Sequence, residues 1–96
     1  MVLYSETGII KQGEGSDLRA YILVNTEANA LWNVAETVLG IPSVKTAEAV
    51  TGQVDVVVLV EFLKLDDLGN ILAKIQGLKG VQRTQTLLAV PAPVRE

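Results

Sequence analysis

The chain has 96 residues, 49% of them hydrophobic and 20% charged, and a formal charge of −3. That length supplies one domain and one core, the aliphatic richness excludes a disordered tail, and an acidic balance without adjacent Lys or Arg residues argues against autonomous nucleic-acid binding. The sequence contains no Cys and no His, which removes thiolate nucleophiles, imidazole bases, disulfides and the usual zinc ligands together.

No basic head followed by an apolar core opens the chain, and no apolar run approaches the ~20 residues of a membrane span, so a cytoplasmic protein is expected. Residues 1–18 read as an extension ahead of the domain. Gly13-Glu14-Gly15 lies in it with no strand before and no helix after, which suits a flexible linker rather than a phosphate loop.

The stretch RAYILVNT, Arg19 to Thr26, is rich in aliphatic and aromatic β-formers and predicts the first strand. From Asn29, NALWNVAETVLG sets Leu31, Ala35, Val38 and Leu39 on one helical stripe, with Asn29 as N-cap and Gly40 past the end. Trp32 sits among these apolar positions and is expected to pack, with a place at an interface as the alternative. Val44 to Val50 predicts a second strand, Thr51-Gly52-Gln53 a tight turn, and Val54 to Phe62 a third strand, together a hairpin. Glu61 is expected to point outward or to pair with Lys64.

LDDLGNILAKIQ, Leu65 to Gln76, places Leu68, Ile71, Leu72 and Ile75 at helical spacing. Asp66 and Asp67 stand at the positive end of the helix dipole, which suits them better than paired acid–base work, and Gly77 follows at the C′ position. Val81 to Val90 predicts the last strand, ended by Pro91 and Pro93. LGIPSVKTAEAV and QGLKGVQRTQTL share a Gly, apolar, two-spacer, Val pattern that makes each half strand, helix, strand. The resulting βαββαβ order predicts an α+β, ferredoxin-like domain, an antiparallel four-stranded sheet with two helices on one face.

Strands one and three are nearly all apolar and belong at the centre; strands two and four carry Lys45, Glu48, Arg83, Thr84, Gln85 and Thr86 and belong at the edges. Two helices cover one face of a sheet, whereas Val56 to Val60 sends apolar groups to both. The other face is expected to be covered by a second copy, packed sheet to sheet through Val56, Val58 and Val60.

Asp55 is the one carboxylate at the mouth of this apolar run. It follows a Gly turn at the rim of the sheet, where it can accept an ammonium while N–H groups around Gly52 meet a carboxylate, as an amino acid would require. It can equally bond within the turn, as Asp often does. Thr51, Thr84 and Thr86 are candidate hydroxyl donors beside it.

The stretches AYILVNTEANALWNVAETVLGIPSVKTAEAVTGQVDVVVLVEF and ILAKIQGLKGVQRTQTLLAV resemble the C-terminal effector domain, called RAM, of the Lrp/AsnC regulators. The resemblance rests on Val50-Thr51-Gly52 followed by Asp55, on Ile75 to Val81, and on Arg83-Thr84 with Thr86. It implies a RAM domain over residues 19–91 with a short tail at 92–96, a dimeric α+β barrel that assembles into rings of dimers, and a small effector, commonly an amino acid, bound between dimers. It implies Thr51, Gly52 and Asp55 as the ligand loop, Asp55 accepting the ammonium, with Thr84 and Thr86 facing it.

Two departures qualify the likeness. Val54 stands where relatives often have an aromatic residue, so ligand identity does not carry over. Full-length relatives begin with a helix-turn-helix, for which the stretch before Ala20 is too short; only TGIIK, Thr7 to Lys11, looks like their hinge strand. The expectation is a stand-alone effector-binding and oligomerisation module, without cofactor or metal and not an enzyme. It would act indirectly on the regulation of amino-acid metabolism, forming assemblies with full-length Lrp-type regulators and touching neither nucleic acid nor membrane. The alternatives are a cofactor-free, monooxygenase-like dimeric barrel enzyme and a purely structural assembly module.

Overall fold

A computed structural model describes residues 18–90. The expected linker at Gly13–Gly15, the hinge-like strand at Thr7–Lys11, Pro91 and Pro93, and the tail at 92–96 lie outside the described residues. The elements run β1 (Leu18–Thr26), α1 (Leu31–Val38), β2 (Val44–Ala49), β3 (Val56–Phe62), α2 (Leu65–Gln76) and β4 (Val81–Leu88).

The sheet order β2-β3-β1-β4 puts the two apolar strands in the centre and the two polar ones at the edges, as their composition requires. Strand β1 is antiparallel to β3 and β4, and β3 is antiparallel to β2. Strands β1 and β2 are therefore parallel across β3, and β3 and β4 across β1, each pair joined by a helix in the ferredoxin-like split βαβ arrangement.

Side-chain alternation decides what each face carries. Ala20, Ile22 and Val24 of β1 and Val56, Val58 and Val60 of β3 are fully buried, and join Val34, Ala35 and Val38 of α1 and Ile71 and Ile75 of α2 in one core. This corrects the assignment of Val56, Val58 and Val60 to a dimer interface. A period of two sends all three to the face the helices cover, where they have no surface to offer a partner.

An uncovered face does exist, one residue out of step. On β3 it carries Val57, Leu59 and Glu61, opposite Leu23, Tyr21 and Arg19 of β1. Strand β4 adds Gln85 and Leu87 opposite Leu23 and Tyr21. The open face thus has an apolar middle of Leu23, Tyr21, Val57, Leu59 and Leu87 within a polar margin. Glu61 points outward, as one of its two expectations had it, opposite Arg19 in register.

Helix α1 has eight residues, too few to hold a helix in water, so burial of Val34, Ala35 and Val38 is what keeps it formed. Its start differs from expectation. Ala30 is the N-cap, and Asn29 sits one residue earlier with φ of 72°, in the left-handed region that Asn tolerates better than most residues. Trp32 is 73% exposed and Leu39 51% exposed, because seven residues apart they share one flank, off the buried stripe of Val34, Ala35 and Val38. Trp32 therefore does not pack in the core.

In α2 the backbone N–H of Lys64 donates to Asp67 Oδ2 at 3.2 Å, so the carboxylate caps the helix start as the dipole reading anticipated. Gly77 closes α2 in a right-handed conformation, φ −85°. The glycine under real constraint is Gly80, with φ of 96° and a position where a Cβ would come within 2.7 Å of Ala30 Cβ and 3.3 Å of Val34 Cγ2. That contact seats the start of α1 against the start of β4, and the N–H of Glu27 donates to the Gly80 carbonyl at 2.8 Å.

Candidate functional site

The loop from Val50 to Asp55 joins β2 to β3 at the end of the sheet where β1 finishes and β4 begins. It is wider than a tight turn: the N–H of Val50 donates to the Asp55 carbonyl at 2.9 Å, and Thr51, Gly52 and Gln53 are exposed beyond that closure. Gly52 has φ of 133°, and a Cβ built on it would meet nothing within 4 Å. The residue is there for backbone conformation, and the space above it is open.

Asp55 is half-buried and fastened from three directions. Its N–H donates to the Val24 carbonyl at 2.9 Å, just past the last paired residues of β1 and β3. Its Oδ2 accepts from the Thr26 N–H at 2.8 Å, and the Thr26 hydroxyl lies at a longer 3.4 Å. A side-chain bond inside the hairpin turn, one of the two readings left open, is not the one formed. The side chain ties the hairpin to the neighbouring strand β1 through one oxygen. Among the described residues, the other oxygen takes no hydrogen bond, which leaves it open as an acceptor.

The loop has a second tie. Asn25 Nδ2 donates to the Gln53 carbonyl at 2.9 Å, so consecutive residues of β1, Asn25 and Thr26, hold both ends of the Gln53–Asp55 segment. Beside Asn25 a shallow hollow of about 360 Å³ opens, lined by Asn25, Gln82 and Arg83.

Thr51, Gly52 and Asp55 come together on this loop; Thr84 and Thr86 do not join them. Opposite Val24 and Ile22 in register, both threonines fall on the face the helices cover, and Thr84 Oγ1 accepts from Gln76 Nε2 of α2 at 3.0 Å. Sequence reasoning missed Asn25, Thr26 and Gln82. Nothing local marks them, since their roles arise only from the pairing of β1 with the hairpin and with β4. Among the described residues no cluster of three or more His, Cys, Asp or Glu side chains could hold a metal, and no helix is long and apolar enough to cross a membrane.

The sequence matches the Lrp/AsnC ligand binding domain over residues 19–96. The chain belongs to the Lrp/AsnC family. Among curated relatives it is similar to the HTH-type transcriptional regulator FL11 of Pyrococcus furiosus, 26% identical over 93 residues that cover 88% of this chain and 62% of the relative. The chain thus spans less than two thirds of the length of the curated relatives it matches.

Among solved structures, TTHA0845 from Thermus thermophilus is 33% identical with a TM-score of 0.76, covering 81% of this chain and 99% of that one. The regulator NMB0573 from Neisseria meningitidis, solved as a complex with L-Met, shares the fold at 22% identity and a TM-score of 0.71, covering 93% of this chain and 65% of its own. These structures share the fold of one sheet and two helices, and the domain at hand matches the ligand binding domain of the Lrp/AsnC family.

Proposed function

We propose that this Lrp/AsnC domain binds a free amino acid at the Thr51–Asp55 loop, Asp55 accepting the ammonium and the exposed backbone around Thr51 and Gly52 lying against the ligand. The observation that carries this reading is the asymmetry at Asp55: one carboxylate oxygen is spent on the Thr26 N–H at 2.8 Å, and the other takes no hydrogen bond among the described residues. A preoriented carboxylate binds a cation without first losing rotamer freedom. The L-Met complex of NMB0573 supports an amino acid as the class, since that protein shares this fold.

The same reading includes a second copy of the chain. The open face, with Tyr21, Leu23, Val57, Leu59 and Leu87 in its middle and Arg19, Glu61, Gln85 and Asn25 around them, has the apolar centre and polar rim of a protein interface. A homodimer packed through it leaves the loop at the margin, open to a neighbouring dimer, so effector occupancy can bear on higher assembly. The domain would then act in the cytoplasm as a non-catalytic sensor, influencing transcription through mixed assemblies with full-length regulators.

Thermal unfolding against each of the twenty amino acids tests the ligand. A ligand present at a hundred times its dissociation constant adds about 2.7 kcal/mol, a rise in Tm of roughly 10–20 °C for a domain of this size. No shift with any amino acid at millimolar concentration refutes the reading.

A further inference from the structure

The loop accounts for one charge of an amino acid and leaves the other without a fixed cationic partner. The hollow beside it is lined by Asn25, Gln82 and Arg83, and its shape comes from an irregularity in the sheet. Asn25 stands opposite Arg83, but Thr26 stands opposite Val81, so Gln82 is an extra residue on β4. In a regular strand, Gln82 and Arg83 would point to opposite faces. A bulge turns consecutive side chains toward the same side, and bulges recur beside binding sites for this reason. Here it delivers a guanidinium and a carboxamide to one concavity, and Asn25, the residue that already holds the Gln53 carbonyl, supplies its third wall.

From this geometry we infer that Asn25, Gln82 and Arg83 form a carboxylate seat, which takes the α-carboxylate of the same ligand whose ammonium meets Asp55. A guanidinium presents parallel N–H donors that match the two oxygens of a carboxylate, and the amides add neutral donors. The side-chain hydrogen bonds formed among the described residues leave the Arg83 guanidinium uncommitted. The paired register of β1 and β3 ends at Val24 opposite Val56, and Asp55 follows directly, its N–H on the Val24 carbonyl and its carboxylate on the Thr26 N–H, while Arg83 stands opposite Asn25 on the other flank of β1. The anion acceptor on the hairpin loop, the amide on β1 and the cation on β4 thus gather at one end of the sheet.

The span fits. Two strand spacings are roughly 10 Å between the outer backbones, and that gap must hold two side chains, two charge-assisted contacts of about 2.8 Å and the short N–Cα–C link of the ligand. A diamine or a dicarboxylate would set like charges against Arg83 or Asp55, so the arrangement selects a zwitterion. The inference rests on the amino-acid reading for its ligand, while the seat itself can be tested alone.

Two glycine derivatives separate the halves, because they carry one backbone charge each and no side chain. N-acetylglycine offers only a carboxylate and glycinamide only an ammonium. Each is titrated at constant ionic strength into the full chain labelled with ¹⁵N, following the Arg83 Nε–H and the side-chain amides of Asn25 and Gln82. N-acetylglycine is expected to move these signals saturably in wild type and in Asp55→Asn, and Arg83→Gln is expected to weaken its binding roughly tenfold or more, the scale of losing one charge-assisted contact.

Glycinamide should instead move the Thr51–Asp55 amides in a manner lost in Asp55→Asn and kept in Arg83→Gln. If N-acetylglycine saturates at Arg83 while no amino acid and no glycinamide acts, the seat stands and the amino-acid reading falls. If N-acetylglycine leaves Arg83 unmoved, or binds Arg83→Gln as well as wild type, the seat is refuted. It is equally refuted if Arg83→Gln abolishes self-association at matched concentration, since Arg83 would then be a cation of the interface rather than of a ligand site.

Discussion

Replacing Asp55 separates two roles that a single alanine substitution would confuse. Its Oδ2 bond to the Thr26 N–H is a hydrogen bond to a charged group between segments 29 positions apart, of a kind that contributes about 1.5–3 kcal/mol. Asp55 is only half-buried, so the lower end applies and Asp55→Ala is expected to cost about 1.5 kcal/mol without any ligand present. For a domain of this size that lowers Tm by roughly 6–12 °C. Asp55→Asn retains an oxygen that can accept from Thr26 and removes the charge, so its Tm should stay within a few degrees of wild type while stabilisation by amino acids disappears. The assay is thermal unfolding of the three proteins at equal protomer concentration, because self-association makes Tm depend on concentration. Equal Tm values for Asp55→Ala and wild type would show that the Thr26 tie carries no stability. An Asp55→Asn protein that still responds fully to amino acids would show that the carboxylate's charge is not what the ligand meets.

Gly80→Ala and Gly69→Ala should move stability in opposite directions. At Gly80 a methyl group would strike Ala30 Cβ at 2.7 Å on a backbone with φ of 96°, and strain plus overpacking cost about 2–5 kcal/mol; at Gly69, inside α2 with nothing within 4 Å, alanine should add about 0.5–1 kcal/mol. Urea midpoints measure both. Leu59→Glu on the open face is expected to yield a folded monomer in sedimentation velocity, whereas Val58→Ala, one residue away and fully buried, should leave association intact and lower stability by about 1.5–3 kcal/mol. A Leu59→Glu protein that still dimerises would place the interface elsewhere.

How far the sequence could be read follows from the range over which each feature is determined. The βαββαβ order was legible because each element carries its own period: Ala35 and Val38 repeat at helical spacing, Ile71 and Ile75 likewise, and the polar edge strand VQRTQTLL contrasts with the apolar VVVLVEF. The existence of an uncovered face was also legible, since five successive aliphatic residues cannot all point to one side. Which alternate set pointed inward was not, because the local pattern of Val56 to Val60 is nearly symmetric; the decision lies in the register Val58 opposite Ile22 and in which face the helices reach. The same holds for the site. Asp55 was visible as a lone charge beside an apolar run, whereas the partner that orients it, Thr26, and the hollow at Arg83 depend on strands 28 to 58 positions away meeting at one end of the sheet. A single extra residue on β4 then turns Gln82 and Arg83 the same way. A bulge of that kind has no local signature in VQRTQT, whose alternation reads as a plain edge strand. Thr84 and Thr86, which the motif alone assigned to the ligand, sit beyond the bulge on the helix-covered face, and the shift that removes them from the open rim is the one that brings Arg83 to it. With Arg83 in the proposed carboxylate seat, Arg83→Gln, not Thr84→Ala, is the substitution on β4 that should alter ligand binding.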